Sequence, residues 1–248
     1  MQGKEIEKKI IKKFDELSFI FPREINPSDF RVKKLLKFLG RPSDKKILDL
    51  GCGKGRFCRT LKDAGFMNII GAEPSKELIK TARRNNKDIK FIQASATDLP
   101  FCDNEFDYLF CIEVLGHIPD TEKAVKEMAR VLKPGGKLFV IDKNVLSLDP
   151  LYFTPTFIWK NFLENSNKWF YPRNFLFKEK YFVPWKLNKI LKRHFLFTKM
   201  EFIRYEFKDK NLSLFLKNIF KIHNMISVLF YNFFPFLNLF TTWEGVKE

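Results

Sequence analysis

An α/β fold is what this chain predicts, on three observations. In the first, the segment ILDLGCGKGRF at residues 47–57, an apolar strand runs straight into a turn with Gly51, Gly53 and Gly55 at alternate positions. The second is a series of further short apolar segments: NIIGAE at 68–73, KFIQASATDLPF at 90–101, FDYLFCIEVLGHI at 106–118 and LKPGGKLFVID at 132–142. Each stands beside a helix or turn signal, as alternating strands and helices require. The third is size, since 248 residues suit one α/β domain with elaborations and can bury a sizeable core.

Taken in order, residues 4–21 read as an amphipathic helix, because Ile6, Ile10, Phe14 and Leu17 recur at helical spacing while lysines and glutamates fill the other side. Ser28 is the expected cap of a second helix that runs to about Leu39, where Gly40 and Pro42 interrupt it. The strand at 47–50 then meets the glycine turn, where bare backbone can approach a ligand that any Cβ would repel. Such a turn between a strand and a helix N-terminus is a nucleotide-binding device. Its spacing is GxGxG with Lys54 and Arg56 interleaved, not the GxGxxG of dinucleotide dehydrogenases, and that argues against hydride chemistry. The second strand ends on Glu73, whose carboxylate can accept hydrogen bonds from both ribose hydroxyls of an adenosine lying across the strand ends.

After Asp142 the composition changes, with 27 of the 40 Phe, Tyr and Trp residues falling in 147–248. Pro150, Pro155, Pro172 and Pro184 cut the first part into short pieces, so residues 151–175 read as an irregular aromatic insertion. Lys186 to His194 reads as a helix, Leu196 to Phe207 as a strand, 211–240 as apolar helix, and TTWEGVKE as a short closing strand. No repeat at a solenoid or propeller period is present.

In order and spacing, the blocks between about residues 44 and 143 resemble the class I S-adenosylmethionine-dependent methyltransferases. The resemblance implies a Rossmann-like doubly wound sheet, mostly parallel with an antiparallel closing strand, plus N-terminal helices and a C-terminal helical insertion placed at 208–240. It divides the chain into an N-terminal helical cap (1–43), a donor-binding α/β core (44–146) and an aromatic-rich substrate and insertion region with the closing strands (147–248). The donor, S-adenosyl-L-methionine, would lie at the carboxyl ends of the central strands. Asp49 with the Gly51 and Gly53 backbone would hold its methionine portion, with Cys52 and Gly55 of the same turn counted among the donor contacts. Glu73 would take the ribose and Pro74 the adenine face. Ser95 and Ala96 fall where the family reads the adenine edge, commonly with an acid at the first position; here a serine hydroxyl stands there, with Asp98 three residues on. Ile112 and Glu113 end the fourth strand, where family backbone carbonyls meet the methionine amino group. The preceding helices would form part of a lid, or else pack on the sheet without touching ligand.

Methyl transfer from a sulfonium needs in-line positioning and, for a protonated acceptor, a base. In EVLGHIPD, Glu113 and His117 are four residues apart, and a helical start would point both side chains the same way. The spacing resembles the loop of small-molecule O-methyltransferases of the quinone-biosynthesis type, which makes both residues catalytic candidates; a structural loop histidine is the competing reading. Gly116 stands where those enzymes often carry a second acid, so no metal is expected.

The net charge of +16 is uneven: +6 over residues 1–46, +2 over 47–146 and +8 over 147–248. Basic charge therefore belongs to the flanks, which in this fold would cover the site and choose the substrate. The first expectation is transfer to an O or N acceptor on a small, lipid-like or lipid-linked molecule, with peripheral contact at a membrane surface. An RNA methyltransferase, with nucleic acid held by basic flanks and exposed aromatics, ranks behind it; a non-catalytic binding module of the same fold is the third reading. Cys52, Cys58, Cys102 and Cys111 show no paired metal spacing and fall in the α/β core, where small thiols pack well. That usage suggests a reduced, cytoplasmic setting, and MQGKEIEKKI lacks the apolar stretch of an export signal. The longest nearly apolar run, 225–240, contains Asn232, Pro235 and Asn238 and falls short of the ~20 residues that span a bilayer.

Overall fold

A computed structural model describes residues 2–149, 154–155, 180–203, 230 and 232–248. Apart from residues 154–155, the aromatic insertion expected at 151–175 lies outside these residues, as does the helix expected over 211–240 up to residue 229; at its described end the expectation fails, since Pro235 opens a 3₁₀ turn through Leu237 and a strand begins at Phe240. The order is α1 (Gln2–Glu16), α2 (Phe30–Leu39), β1 (Ile47–Leu50), α3 (Arg56–Asp63), β2 (Ile69–Glu73), α4 (Lys76–Asn85), β3 (Lys90–Gln93) and β4 (Phe106–Ile112). Then follow α5 (Thr121–Val131), β5 (Leu132–Lys143), the short β6 (Leu148–Asp149) and β7 (Thr154–Pro155), α6 (Pro184–Leu191), β8 (Phe195–Ile203) and β9 (Phe240–Lys247).

Seven strands form one sheet in the order β3-β2-β1-β4-β5-β9-β8. Pairings from β3 through β5 are parallel, whereas β9 runs antiparallel to both of its neighbours, β5 and β8. The expected antiparallel closing strand is thus β9, inserted beside β5 and not at the sheet's rim. The sheet is apolar on both faces because helices cover both. Strand side chains alternate at period two. Leu48 and Leu50, Leu109 and Cys111, and Leu138 and Val140 share a cluster with Val125 and Met128 of α5, Leu187 and Leu191 of α6, and Trp243. On the other face Ile47, Phe110, Phe139 and Ile141 meet Val32, Leu35 and Leu39 of α2, Phe57 and Leu61 of α3, and Ile79 of α4.

Helix starts follow capping chemistry. Ser75 accepts from the Leu78 N–H at 3.2 Å and Asp120 from the Lys123 N–H at 2.9 Å. At α2 the cap is Asp29, which accepts from the Arg31 N–H at 2.9 Å, and not Ser28. A carboxylate one residue on also gains an ion pair with the Arg31 guanidinium, which a serine hydroxyl could not supply. The first helix ends at Glu16, and Ser18–Ile20 is a separate 3₁₀ turn in place of the expected continuation to residue 21. Three cysteines are buried as expected, but Cys102 is exposed, because its segment turns outward before β4.

Trp243 of β9 has no exposed surface and packs in the cluster under α5 and α6. Trp243→Ala should cost about 3–5 kcal/mol of unfolding free energy, read from the urea midpoint at unchanged m value.

Candidate functional site

Strand order reverses between β1 and β4, so their carboxyl ends diverge and leave a crevice at that switch point. A cavity of about 380 Å³ occupies it, within the range of small-molecule sites. Among the residues expected from sequence, Asp49, Gly51, Cys52, Gly53, Glu73 and Pro74 line it, as do Ala96, Ile112, Glu113 and His117. Gly55 and Ser95 are outside its lining.

Each glycine of the turn after β1 is needed for a different reason. All three have positive φ: +77° at Gly51, +54° at Gly53 and +80° at Gly55. A Cβ on Gly51 would lie 2.3 Å from Val114 Cγ2, and one on Gly55 would lie 2.7 Å from the Phe91 ring. One on Gly53 would meet no atom within 4 Å, so there the bare backbone borders open cavity. The turn is tied to β2, with the Gly51 and Cys52 N–H groups both donating to the Ala72 carbonyl, at 2.8 and 3.1 Å.

Two buried acids set the electrostatics. Glu73, at the end of β2, accepts from the Gly53 N–H at 3.1 Å and the Ser75 N–H at 3.0 Å. Burial outweighs these amides and pushes its carboxyl up to about 7. Asp49 is likewise raised to about 7 by burial, against the Cys58 thiol that donates to its Oδ2 at 3.1 Å. Cationic groups gather nearby. Arg31, from the first turn of α2, and Lys143, at the end of β5, both pair with the Glu113 carboxylate. Arg56, partly buried at the start of α3, lines the same cavity, and burial lowers its basicity.

Glu113 and His117 do reach one cavity, but not from one helix. Glu113 has a φ of +58°, and only Leu115–His117 forms a 3₁₀ turn, so the expected helical spacing is replaced by a left-handed corner. His117 packs edge-on against Phe14 of α1, with ring centres 5.2 Å apart.

Of the preceding helices, α1 takes the covering position. Glu7, Ile10, Ile11 and Phe14 line the cavity, and the Lys54 ammonium, reaching out of the glycine turn, donates to the Phe21 carbonyl at 2.6 Å. By contrast, α2 buries Val32, Leu35 and Leu39 on the sheet and contributes only Arg31. Sequence reasoning missed Glu7, Arg31, Arg56 and Lys143 as site residues. Ile10 and Phe14 in the helical stripe were the available signal for α1; nothing local marks Arg31 or Lys143. Asp98 is exposed and does not line the cavity. Among the described residues no group of His, Cys, Asp and Glu could hold a metal ion.

Residues 48–140 match the family model described as a methyltransferase domain. Methyltransferase GfsG of Streptomyces halstedii is 32% identical over 131 residues, covering 49% of this chain and 47% of that protein. A demethylmenaquinone methyltransferase of Staphylococcus carnosus is 34% identical over 153 residues, covering 58% of this chain and 64% of that protein. The chain spans about half the length of most of these curated relatives. Among solved structures, a methyltransferase of Mesorhizobium loti superposes with a TM-score of 0.62 at 15% identity, covering 89% of this chain and 99% of that one. MccD protein gives 0.63 at 16%, covering 92% and 100%. At such identities these structures speak for the fold alone.

The two raised carboxyls make a pH prediction. Folded Glu73 and Asp49 keep their protons up to about 7, whereas unfolded carboxyls lose theirs near 4. The folded state therefore binds more protons between those values, and stability falls as pH rises through that window. Ligand-free protein should melt higher at pH 5.5 than at pH 8, and the slope should shrink in Glu73→Gln.

Proposed function

We propose that residues 48–140, which match a methyltransferase domain, form a class I S-adenosylmethionine-dependent methyltransferase domain and that the chain transfers a methyl group from S-adenosyl-L-methionine to a small, lipid-like acceptor. The observation that carries the reading is the Glu73 carboxylate, already aimed by two backbone amides beside a glycine whose missing Cβ leaves room for a ligand. The residues present fit the donor. Glu73 retains free lone pairs for two ribose hydroxyls, Pro74 offers a flat apolar face, and the Ile112 carbonyl side of β4 with Asp49 suits an ammonium group. Arg56 lines the same cavity, with Arg31 held nearby by Asp29 and Glu113, which supports binding of a carboxylate there. When bound, the donor supplies a methyl group on a sulfonium, a good leaving group.

The acceptor side is apolar: Phe14, Phe21, Val114 and Ile118 line the cavity around His117. Glu113 is engaged by Arg31 and Lys143, and His117, an imidazole on the same apolar lining, is our candidate to take a proton from an oxygen or nitrogen acceptor. Relatives named demethylmenaquinone methyltransferase and quinone-biosynthesis C-methyltransferase support a small apolar acceptor and extend the reading to carbon. Aromatic groups exposed at Trp185, Phe233 and Phe234 support delivery from a lipid surface. No helix among the described residues is long and apolar enough to cross a membrane.

Calorimetry with S-adenosylhomocysteine should give micromolar-range binding by the whole chain. Glu73→Ala should weaken it by about 1.5–3 kcal/mol, through lost hydrogen bonds to a charged acceptor, and unchanged affinity would remove the ribose assignment. His117→Ala should leave donor affinity intact and lower turnover about 10²–10⁴-fold, measured as label transferred from methyl-labelled donor into a lipid extract.

A further inference from the structure

An acid that no strand supplies reaches the cavity beside β3. Glu7 lies on the face of α1 that also carries Ile11 and Asp15, at successive spacings of four residues. That face is fastened at both ends, to the start of α4 and to the corner after β3. Asp15 Oδ1 accepts from the Ser75 hydroxyl at 2.6 Å and from the Glu77 N–H at 3.0 Å. At the other end the Glu7 carboxylate accepts from the Ser95 hydroxyl and, at 3.2 Å, from the Thr97 hydroxyl. Ser95 Oγ itself accepts from the Thr97 N–H at 3.0 Å, so the corner after β3 turns its polar atoms toward Glu7. No cation pairs with Glu7 among the described residues, and its carboxylate borders the cavity next to Ala96.

Position then indicates which part of a ligand Glu7 meets. Glu73 ends β2, and the Ala94 N–H donates to its carbonyl at 3.1 Å, so the Ala94–Ala96 corner is one strand further across the sheet from the ribose-binding acid. Between them Pro74, Leu78, Ala94, Ala96 and Ile11 make an apolar slot. A flat base attached to a ribose on Glu73 enters that slot with its edge toward the corner, where the carboxylate is the strongest acceptor.

We infer that Glu7 reads the exocyclic amino group of a 6-aminopurine, with the Ser95 and Thr97 hydroxyls orienting its carboxylate. The inference rests on the donor reading above. It also accounts for serine at position 95, because the charge that serine lacks arrives from α1. A 6-oxopurine would set its carbonyl oxygen against the carboxylate, acceptor against acceptor, and so be rejected.

The test is calorimetry of the full chain with S-adenosylhomocysteine and with S-inosylhomocysteine, which differ at that one group. The natural chain should prefer the adenosyl compound by about 10- to 100-fold. In Glu7→Gln, whose amide can donate to a carbonyl, adenosyl affinity should drop by about tenfold or more and the preference should collapse. Equal affinities in the natural chain overturn the inference without any variant. So does a Glu7→Gln chain that keeps the preference, or one that weakens both ligands equally, as loss of a mere tether would. Failure of the natural chain to bind either compound overturns the donor reading itself.

Discussion

One carboxylate joins two loops that the chain delivers twenty residues apart, and the site is organised around it. Glu73 bridges the Gly53 N–H of the turn after β1 and the Ser75 N–H at the start of α4. Removing it would leave two amide groups without their acceptor at the bottom of the crevice, so the turn and the helix start are positioned by the same side chain. Holding an acid there is costly, since its surroundings favour the protonated form. A ligand presenting hydroxyl groups offsets that cost by solvating the ionised form.

The opposite wall is built from charges brought by distant elements. Glu113 adopts a left-handed backbone that non-glycine residues seldom take, and its side chain is locked between Arg31 of α2 and Lys143 of β5. Part of the basic excess in the first forty-six residues is thereby consumed inside the molecule: Arg31 faces the cavity, and Lys34 pairs with Glu201 of β8. That charge is architectural before it is a surface for partners.

The sheet was largely legible in the sequence because its strands are apolar runs bounded by turn residues, and the glycine spacing is visible in one window. Glu73 was legible for the same reason, being the last residue of an apolar run. What escaped were contributions that depend on tertiary placement. Arg31, Lys143 and Glu7 enter the cavity from three elements separated by scores of residues, and no local pattern distinguishes them from solvated neighbours such as Lys33 or Glu5. The Glu113 and His117 pair shows the reverse error: a four-residue spacing suggested a helix, but the chain bends through a positive φ first. Asp29 instead of Ser28 as cap is a one-residue difference, decided by an arginine that the carboxylate can also hold.

Gly51 and Val114 share a boundary that has no spare thickness. Valine methyl groups rest where the glycine's absent side chain would stand, at 2.3 and 2.7 Å from that point. The glycine turn and the loop carrying Glu113 and His117 are therefore a single partition seen from its two sides. Bulk added on either one is felt by the other, and the spacing of the two walls of the cavity is set by one isopropyl group standing where a side chain on Gly51 would be.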